Sequence, residues 1–374
     1  LQKVAERYRE RFNIPVIGIT GSVGKTTTKE MVALAVSAGL KTMKTAGNAN
    51  SQIGLPMTVL RITPEDEAAI VEMGVSMPGE MARIAKVAKP NIAVMTNIGV
   101  SHIEFMKTRE NIMKEKFGIT DYLPNGSKVF VNGDDDLLST LKSTPEKQIV
   151  RFGLGENCDW RAVELEADTE GTKFICVHDG KRVEMYVPAA GEHNVRNALA
   201  ATACALAAGC TLAAVAEGLA AFVPVAGRSR VLALPMPGRT LTVVDDCYNA
   251  NPDSMQAAIA VLAELPAPRW LVLGDMGEVG SQGPQFHAEA GALARASGIE
   301  HLLALGTLSS HAVQAFAHAS GPTPAAQARH FDDKAALLAA LRAALPGMGS
   351  VLVKGSRFMK MEDAVQALQE ATCS

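Results

Sequence analysis

Ile17-Gly-Ile-Thr-Gly-Ser-Val-Gly-Lys-Thr-Thr-Thr28 decides the reading of this chain, because an apolar strand runs into a glycine-bracketed loop that ends in Gly-Lys-Thr and opens a helix. That is the sequence form of a triphosphate cradle. Gly21 and Gly24 let the backbone bend, so the run Gly21, Ser22, Val23, Gly24, Lys25, Thr26 and Thr27 is the candidate phosphate site. Lys25 can reach the β- and γ-phosphates, and the Thr26 hydroxyl is placed for Mg²⁺. The spacing departs from the common one: the first glycine of G-x-x-x-x-G-K-[ST] falls on Ile19, with Gly18 and Gly21 on either side. A bare Gly-Lys-Thr is often an ordinary helix start, but the strand before it and the helix after it favour the nucleotide reading.

At 374 residues the chain exceeds what one hydrophobic core usually serves, so two domains are expected. A net charge of -3 and a pI near 6.3 provide no basic footprint for nucleic acid, and no apolar run is long enough to cross a bilayer. Cys158, Cys176, Cys204, Cys210, Cys247 and Cys373 form no C-x-x-C pair. They read as reduced residues of a cytoplasmic protein without a zinc site. Residues 1–12 form a charged amphipathic helix pattern rather than a secretion signal, and with no initiator methionine the chain reads as a fragment. Lysine is concentrated before residue 150 and alanine after it. Two domains with different surfaces and a chimera of two parents both fit that shift.

Apolar β-rich runs near 14–20, 67–73, 91–98 and 128–132 alternate with helical patterns near 25–38, 79–88 and 108–122. The alternation predicts an α/β fold, a parallel sheet covered on both faces with the site at its strand ends. Over 158–189 the pattern changes to short strands around an Asp-Gly turn at 179–180, a small antiparallel edge, followed by two Ala-rich helices to about 222. A second βα region starts at Thr240, with strands near 240–245, 270–274, 301–305 and 350–354. Pro224, Gly227, Pro235, Pro237 and Gly238 mark a linker over 223–239.

Glu72 ends a buried strand, where a carboxylate is costly unless it meets a cation, and Mg²⁺ is the natural partner. His102 follows another strand end and so shares the rim with Glu72 and Lys25, although a histidine in a loop is more often structural. Lys114 and Lys116 lie on the next helix, where the default is a solvated charge.

Eight segments carry a resemblance that covers essentially the whole chain: 20–26, 47–56 (Gly-Asn-Ala-Asn-Ser-Gln-Ile-Gly-Leu-Pro), 72–74, 191–200, 227–229, 245–255, 273–278 and 354–357 (Lys-Gly-Ser-Arg). On these the chain resembles the Mur ligases. The runs Tyr-Asn-Ala-Asn-Pro-Asp-Ser-Met (248–255) and Lys-Gly-Ser-Arg point to the branch that joins D-alanyl-D-alanine to UDP-N-acetylmuramoyl-tripeptide in peptidoglycan precursor synthesis. The resemblance implies a central ATP-binding domain over 1–225 and a Rossmann-like α/β domain over 226–374, acting as a monomer on ATP and Mg²⁺.

It further implies that a substrate carboxylate attacks the γ-phosphate to give an acyl phosphate, which the amine of D-alanyl-D-alanine then attacks. Lys25, Lys116, His102 and Arg228 would be catalytic, and Thr26, Glu72, His102 and Lys116 would hold Mg²⁺. Lys116 matches the family's carbamylated lysine, although Gly118 stands where relatives often have glutamate. Asn194 and Asn197 match the nucleotide-base contacts, Arg228 a phosphate contact, and Asp246 the ribose contact. For Asn194 a helix cap is an equal reading, and for Arg228 and Asp246 an interdomain salt bridge competes. Asn48, Asn50, Tyr248, Asn249, Asn251 and Lys354 fall on the substrate side, and for 251–254 turn formation competes. The linker leads us to expect closure of the second domain onto the nucleotide. Family members carry a further N-terminal domain for the uridine nucleotide, which puts full ligase activity of this chain in doubt. A folylpolyglutamate-synthase-like ligase and a non-catalytic nucleotide-gated module remain alternatives. Phosphate release that needs both amino-acid substrates separates the enzyme from the module.

Overall fold

The computed structural model describes all residues except Thr169, Pro324, Cys373 and Ser374, so the expectation for Cys373 lies outside the described residues. The chain divides into two compact units, Leu1–Val223 and Pro224–Ser374.

In the first unit, α1 (Gln2–Arg9) precedes β1 (Val16–Thr20), α2 (Lys25–Ser37), β2 (Thr42–Lys44), α3 (Gly54–Val59), β3 (Ala68–Glu72), α4 (Glu80–Ala88) and β4 (Ile92–Met95). Short α5 (Ile103–Met106) and α6 (Arg109–Phe117) lead to β5 (Ser127–Asn132), β6 (Lys147–Gly153), β7 (Trp160–Ala167), β8 (Thr172–His178) and β9 (Lys181–Val187). Two helices, α7 (Glu192–Ala207) and α8 (Leu212–Ala220), complete it. The nine strands form one sheet in the order β2-β3-β1-β4-β5-β6-β7-β8-β9. It is parallel as far as β7, and β8 and β9 add the antiparallel edge. Central β1 and β3 are buried at every position, as a sheet covered on both faces requires. Asp179 and Gly180 both take positive φ (48° and 72°), the two-residue turn that matches strand twist.

Against the sequence-based expectation, β2 and β6 are additional. The first has three residues, and the second interleaves Lys147, Gln148 and Arg151 with its apolar positions, so neither shows as an apolar run. The helix expected over 108–122 ends at Phe117 and tightens into a 3₁₀ turn over Gly118–Thr120.

The second unit contains β10 (Arg230–Met236), β11 (Arg239–Asp246), α9 (Pro252–Ala263), β12 (Arg269–Gly274), α10 (Gly283–Ala296), β13 (His301–Leu305), α11 (Ser310–His318), β14 (Gln327–Phe331), α12 (Lys334–Ala344), β15 (Ser350–Lys354) and α13 (Glu362–Thr372). Its sheet runs β10-β11-β15-β12-β13-β14, parallel except for β10. The linker expected over 223–239 is therefore only partly a linker. Residues 230–236 form a strand paired along its whole length with β11. Pro235 misled the reading: β10 is an edge strand, where a missing N–H costs no ladder bond. Gly238 at φ 74° supplies the tight return.

Candidate active site

Gly24 caps α2 at φ 82° and Gly21 sits at φ 150°, where an added Cβ would lie 1.9 Å from Thr96 Oγ1. Both positions exclude larger residues. The Lys25 ammonium folds back over the loop, donating to the carbonyls of Gly21 (2.8 Å) and Ser22 (3.2 Å). The amides of Ser22 and Val23, expected to face phosphate, turn instead to Asn97. Donors for an anion then come from the first turn of α2, whose N–H groups have no partner within the helix and carry its positive dipole end.

Glu72 is 1 % exposed at the end of β3. Its Oε1 accepts from the Thr26 hydroxyl (3.2 Å) and from Asn50 Nδ2 (2.7 Å). Its Oε2 has no hydrogen-bond partner and lies 3.8 Å from Lys29 Nζ. A buried carboxylate with one oxygen left over, beside a threonine hydroxyl, fits a hard divalent cation. Among the described residues no group of three or more His, Cys, Asp or Glu is placed for a metal, so phosphate oxygens and water would have to complete the shell. That is the usual way Mg²⁺ is held. His102 caps α5 at φ 61°, on the loop that follows β4, which pairs with β1.

Lys116 is 2 % exposed, whereas Lys114 is exposed to solvent. Between them Glu115 accepts from the amides of Gly79 (2.8 Å) and Met81 (2.7 Å), which pins α6 to the start of α4 and fixes which face turns inward. Burial, and then the charge of Lys25, hold the Lys116 ammonium well below the ordinary lysine pKa. Asn48 is exposed, while Asn50 is held against Glu72 and over Gly74.

Sequence reasoning missed Lys29. This ammonium is fully buried, donates to the carbonyls of Thr45 (3.0 Å) and Gly47 (3.3 Å), and pairs with Glu30 at 2.9 Å. Its position four residues after Lys25, on the same helix face, was the available signal. Asn197 accepts from Thr28 Oγ1 (3.0 Å) and lies against Gly24. Asn194 is not the cap of α7, which is Gly191; its amide donates to Ala190 O (2.8 Å).

In the second unit Asp246 and Lys354 form a buried pair at 2.5 Å, and Lys354 also donates to Asn249 O at 3.0 Å. Asp246 Oδ1 accepts from Ser229 N. Lys354, expected to touch substrate, is 1 % exposed and spends its charge on Asp246. The salt bridge weighed for Asp246 thus exists, but within this unit. Arg228 stacks over the Tyr248 ring at 4.0 Å, with Arg357 on the same ring at 5.7 Å. Asn251 is the N-cap of α9 in a capping box with Ser254, so the turn reading describes its side chain better than substrate contact does.

Residues 19–205 match the Mur ligase middle domain, and residues 227–357 match the Mur ligase, glutamate ligase domain. The UDP-N-acetylmuramoyl-tripeptide--D-alanyl-D-alanine ligase of Escherichia coli K12 is 36% identical over 99% of this chain and 80% of its own length. The enzyme of the same name from Bacillus subtilis 168 is 34% identical over 100% of this chain and 80% of its own. A crystal structure of MurF from Acinetobacter baumannii superposes with a TM-score of 0.90 at 32% identity, covering 99% of this chain and 80% of that one. MurF ligase from Thermotoga maritima in complex with ADP matches with a TM-score of 0.87 at 26% identity, covering 99% and 83%. With both family domains matched in order along a chain whose glycine-bracketed loop and buried Glu72 stand at the same end of the neighbouring strands β1 and β3, this chain belongs to the Mur ligase family.

Proposed function

We propose that the chain forms an amide bond between the carboxylate of UDP-N-acetylmuramoyl-tripeptide and the amine of D-alanyl-D-alanine, driven by ATP, as a cytoplasmic monomer in peptidoglycan precursor synthesis. The observation that carries the chemistry is Glu72, buried with one oxygen unbonded and held by Thr26 and Asn50 beside the phosphate loop. Lys25 and the α2 amides neutralise and align the phosphates, so that the substrate carboxylate can approach the γ-phosphorus against its own charge. The carboxylate oxygen forms the new bond to phosphorus as the bond to ADP breaks; the amine then attacks the acyl carbon and gives up a proton to solvent, and phosphate leaves with the electron pair of the broken C–O bond. Thr26, Glu72 and His102 would hold Mg²⁺, which when bound screens the two anions. Arg228 and Asp246 are our candidates for phosphate and ribose contacts, with Asn194 and Asn197 for the base; Asn48, Tyr248 and Asn249 are our candidates for the substrate side. Phosphate release that requires both amino-acid substrates is the expected result. Release with ATP alone, or none with all three, would sink this reading.

Lys116 supplies a second expectation. Its depressed pKa raises the share of neutral amine, whose lone pair can bond the carbon of CO₂ as a proton is lost, and the product carbamate is an oxygen donor suited to Mg²⁺. Lys116→Ala should lose turnover and regain part of it with small carboxylates, while Lys114→Ala keeps wild-type rates. The reverse pattern would move the role to Lys114. Stability carries the same signature. The unfolded lysine titrates near 10.5 and the folded one below it, so the unfolded state binds more protons in that window. Stability should therefore rise with pH there, and Lys116→Met should flatten the slope of melting temperature against pH.

A further inference from the structure

Asn97 belongs to none of the roles above, yet it is bonded to the phosphate loop through both its side chain and its main chain. Its Oδ1 accepts from the amides of both Ser22 (3.0 Å) and Val23 (2.8 Å), and its own carbonyl accepts from Ser22 N at 3.0 Å. Its neighbours continue the seam. Thr96 Oγ1 donates to Val23 O at 2.5 Å, and Gly99 N donates to Ser22 Oγ at 2.9 Å. This strap, 96–99, is itself anchored on its far side. Ile98 N donates to Asp135 Oδ2 at 2.7 Å, and the Arg109 guanidinium donates twice to Ile98 O, at 3.0 and 2.7 Å, while pairing with Asp136. A single side-chain oxygen therefore holds two successive loop amides, and a rigid acidic turn holds the segment that carries it.

We propose that Asn97 is a positioning residue for nucleotide binding: it presets the first half of the phosphate loop, so that only the amides from Gly24 onward are presented to phosphate. The proposal rests on the phosphate-loop reading of 20–26. A loop whose curvature exists before the ligand arrives loses less freedom on binding, which appears as affinity rather than as a new contact. The hydrogen bonds to Asn97 replace ligand contacts for Ser22 and Val23: Ser22 N is shared between the side chain and the main-chain carbonyl of Asn97, and Val23 N is held by the side chain.

The test compares wild type, Asn97→Ala, Asn97→Asp and Lys25→Ala. ADP affinity with Mg²⁺ is measured by calorimetry, and amide exchange of Ser22 and Val23 is followed in nucleotide-free protein. Asn97→Ala should bind ADP about tenfold more weakly and lose protection chiefly at Val23, since Ser22 N keeps the main-chain carbonyl of residue 97, with the KM for D-alanyl-D-alanine unchanged. Asn97→Asp keeps an acceptor oxygen and should retain the protection. Wild-type or tighter ADP binding in Asn97→Ala would overturn the proposal, as would unchanged exchange, or a loss shared equally by melting temperature and both KM values. The underlying reading fails separately: Lys25→Ala with normal ADP affinity removes the phosphate loop itself, whereas weak Lys25→Ala beside a normal Asn97→Ala removes only the role of Asn97.

Discussion

Lys25→Ala is expected to lower kcat/KM by about 10³-fold, the range seen when one preorganised group facing developing charge is removed. The reason lies in the loop. The ammonium rests 2.8 Å from Gly21 O and 3.2 Å from Ser22 O, so it is held over the cradle before any nucleotide arrives and has little ordering left to do. Lysine is the residue that can act here as a compact charge. An arginine would bring a planar fork into a loop in which Gly21 has no room even for a Cβ, so Lys25→Arg should not rescue. The substitution has a second consequence: the charge of Lys25 helps to depress the Lys116 pKa, so its removal should shift the pH at which bicarbonate supports turnover upward. Turnover within about threefold of wild type in Lys25→Ala would leave no phosphate-loop role to defend.

Lys29→Met carries the largest expected loss of stability. The ammonium is fully buried between Glu30 at 2.9 Å and Glu72 at 3.8 Å, and it donates to two backbone carbonyls. Deleting one partner of a buried pair strands the other, which typically costs about 3–5 kcal/mol. In a unit of this size that corresponds to a fall of roughly 10 °C in the melting temperature of the first unit. Glu30 is partly exposed and also paired with Lys44, so Glu30→Gln should move the melting temperature far less. The two measurements together decide the matter. A Lys29→Met protein that melts within about 2 °C of wild type would show that Glu72 does not need this counter-charge. The same variant should also loosen the 45–50 segment, since Lys29 anchors the backbone just before Asn48 and Asn50.

Much of the first unit was legible because its information is local. The apolar strand before Gly21, the helix after Gly24 and the Asp179-Gly180 turn each depend on neighbours in the chain, and each stands where the pattern put it. The choice between Lys114 and Lys116 was also open to helical geometry. Two positions on a helix point about 200° apart, so one lysine could face inward at most, and the structure turns Lys116 inward. In the second unit several of the singled-out residues make contacts within their own unit that the sequence did not show. Lys354 and Asp246 neutralise each other across 108 residues, and Asn251 caps the helix that follows it.

By itself the sequence determined the alternation of strand and helix, the glycine positions that only a bent loop requires, and the family to which the motifs belong. The tertiary structure alone decided that Pro235 lies in an edge strand, that Lys29 is the counter-charge of Glu72, and that Asn97 holds the phosphate loop. The physical reason is distance along the chain. Asn97 meets Ser22 across 75 residues and Lys29 meets Thr45 across 16, and contacts of that kind arise only when strands pair and bury their ends. No local propensity encodes them. Periodicity tells which face of an element is apolar, but the partner of a buried polar group depends on which elements become neighbours in the sheet, and that order, β2-β3-β1-β4, is a property of the whole fold.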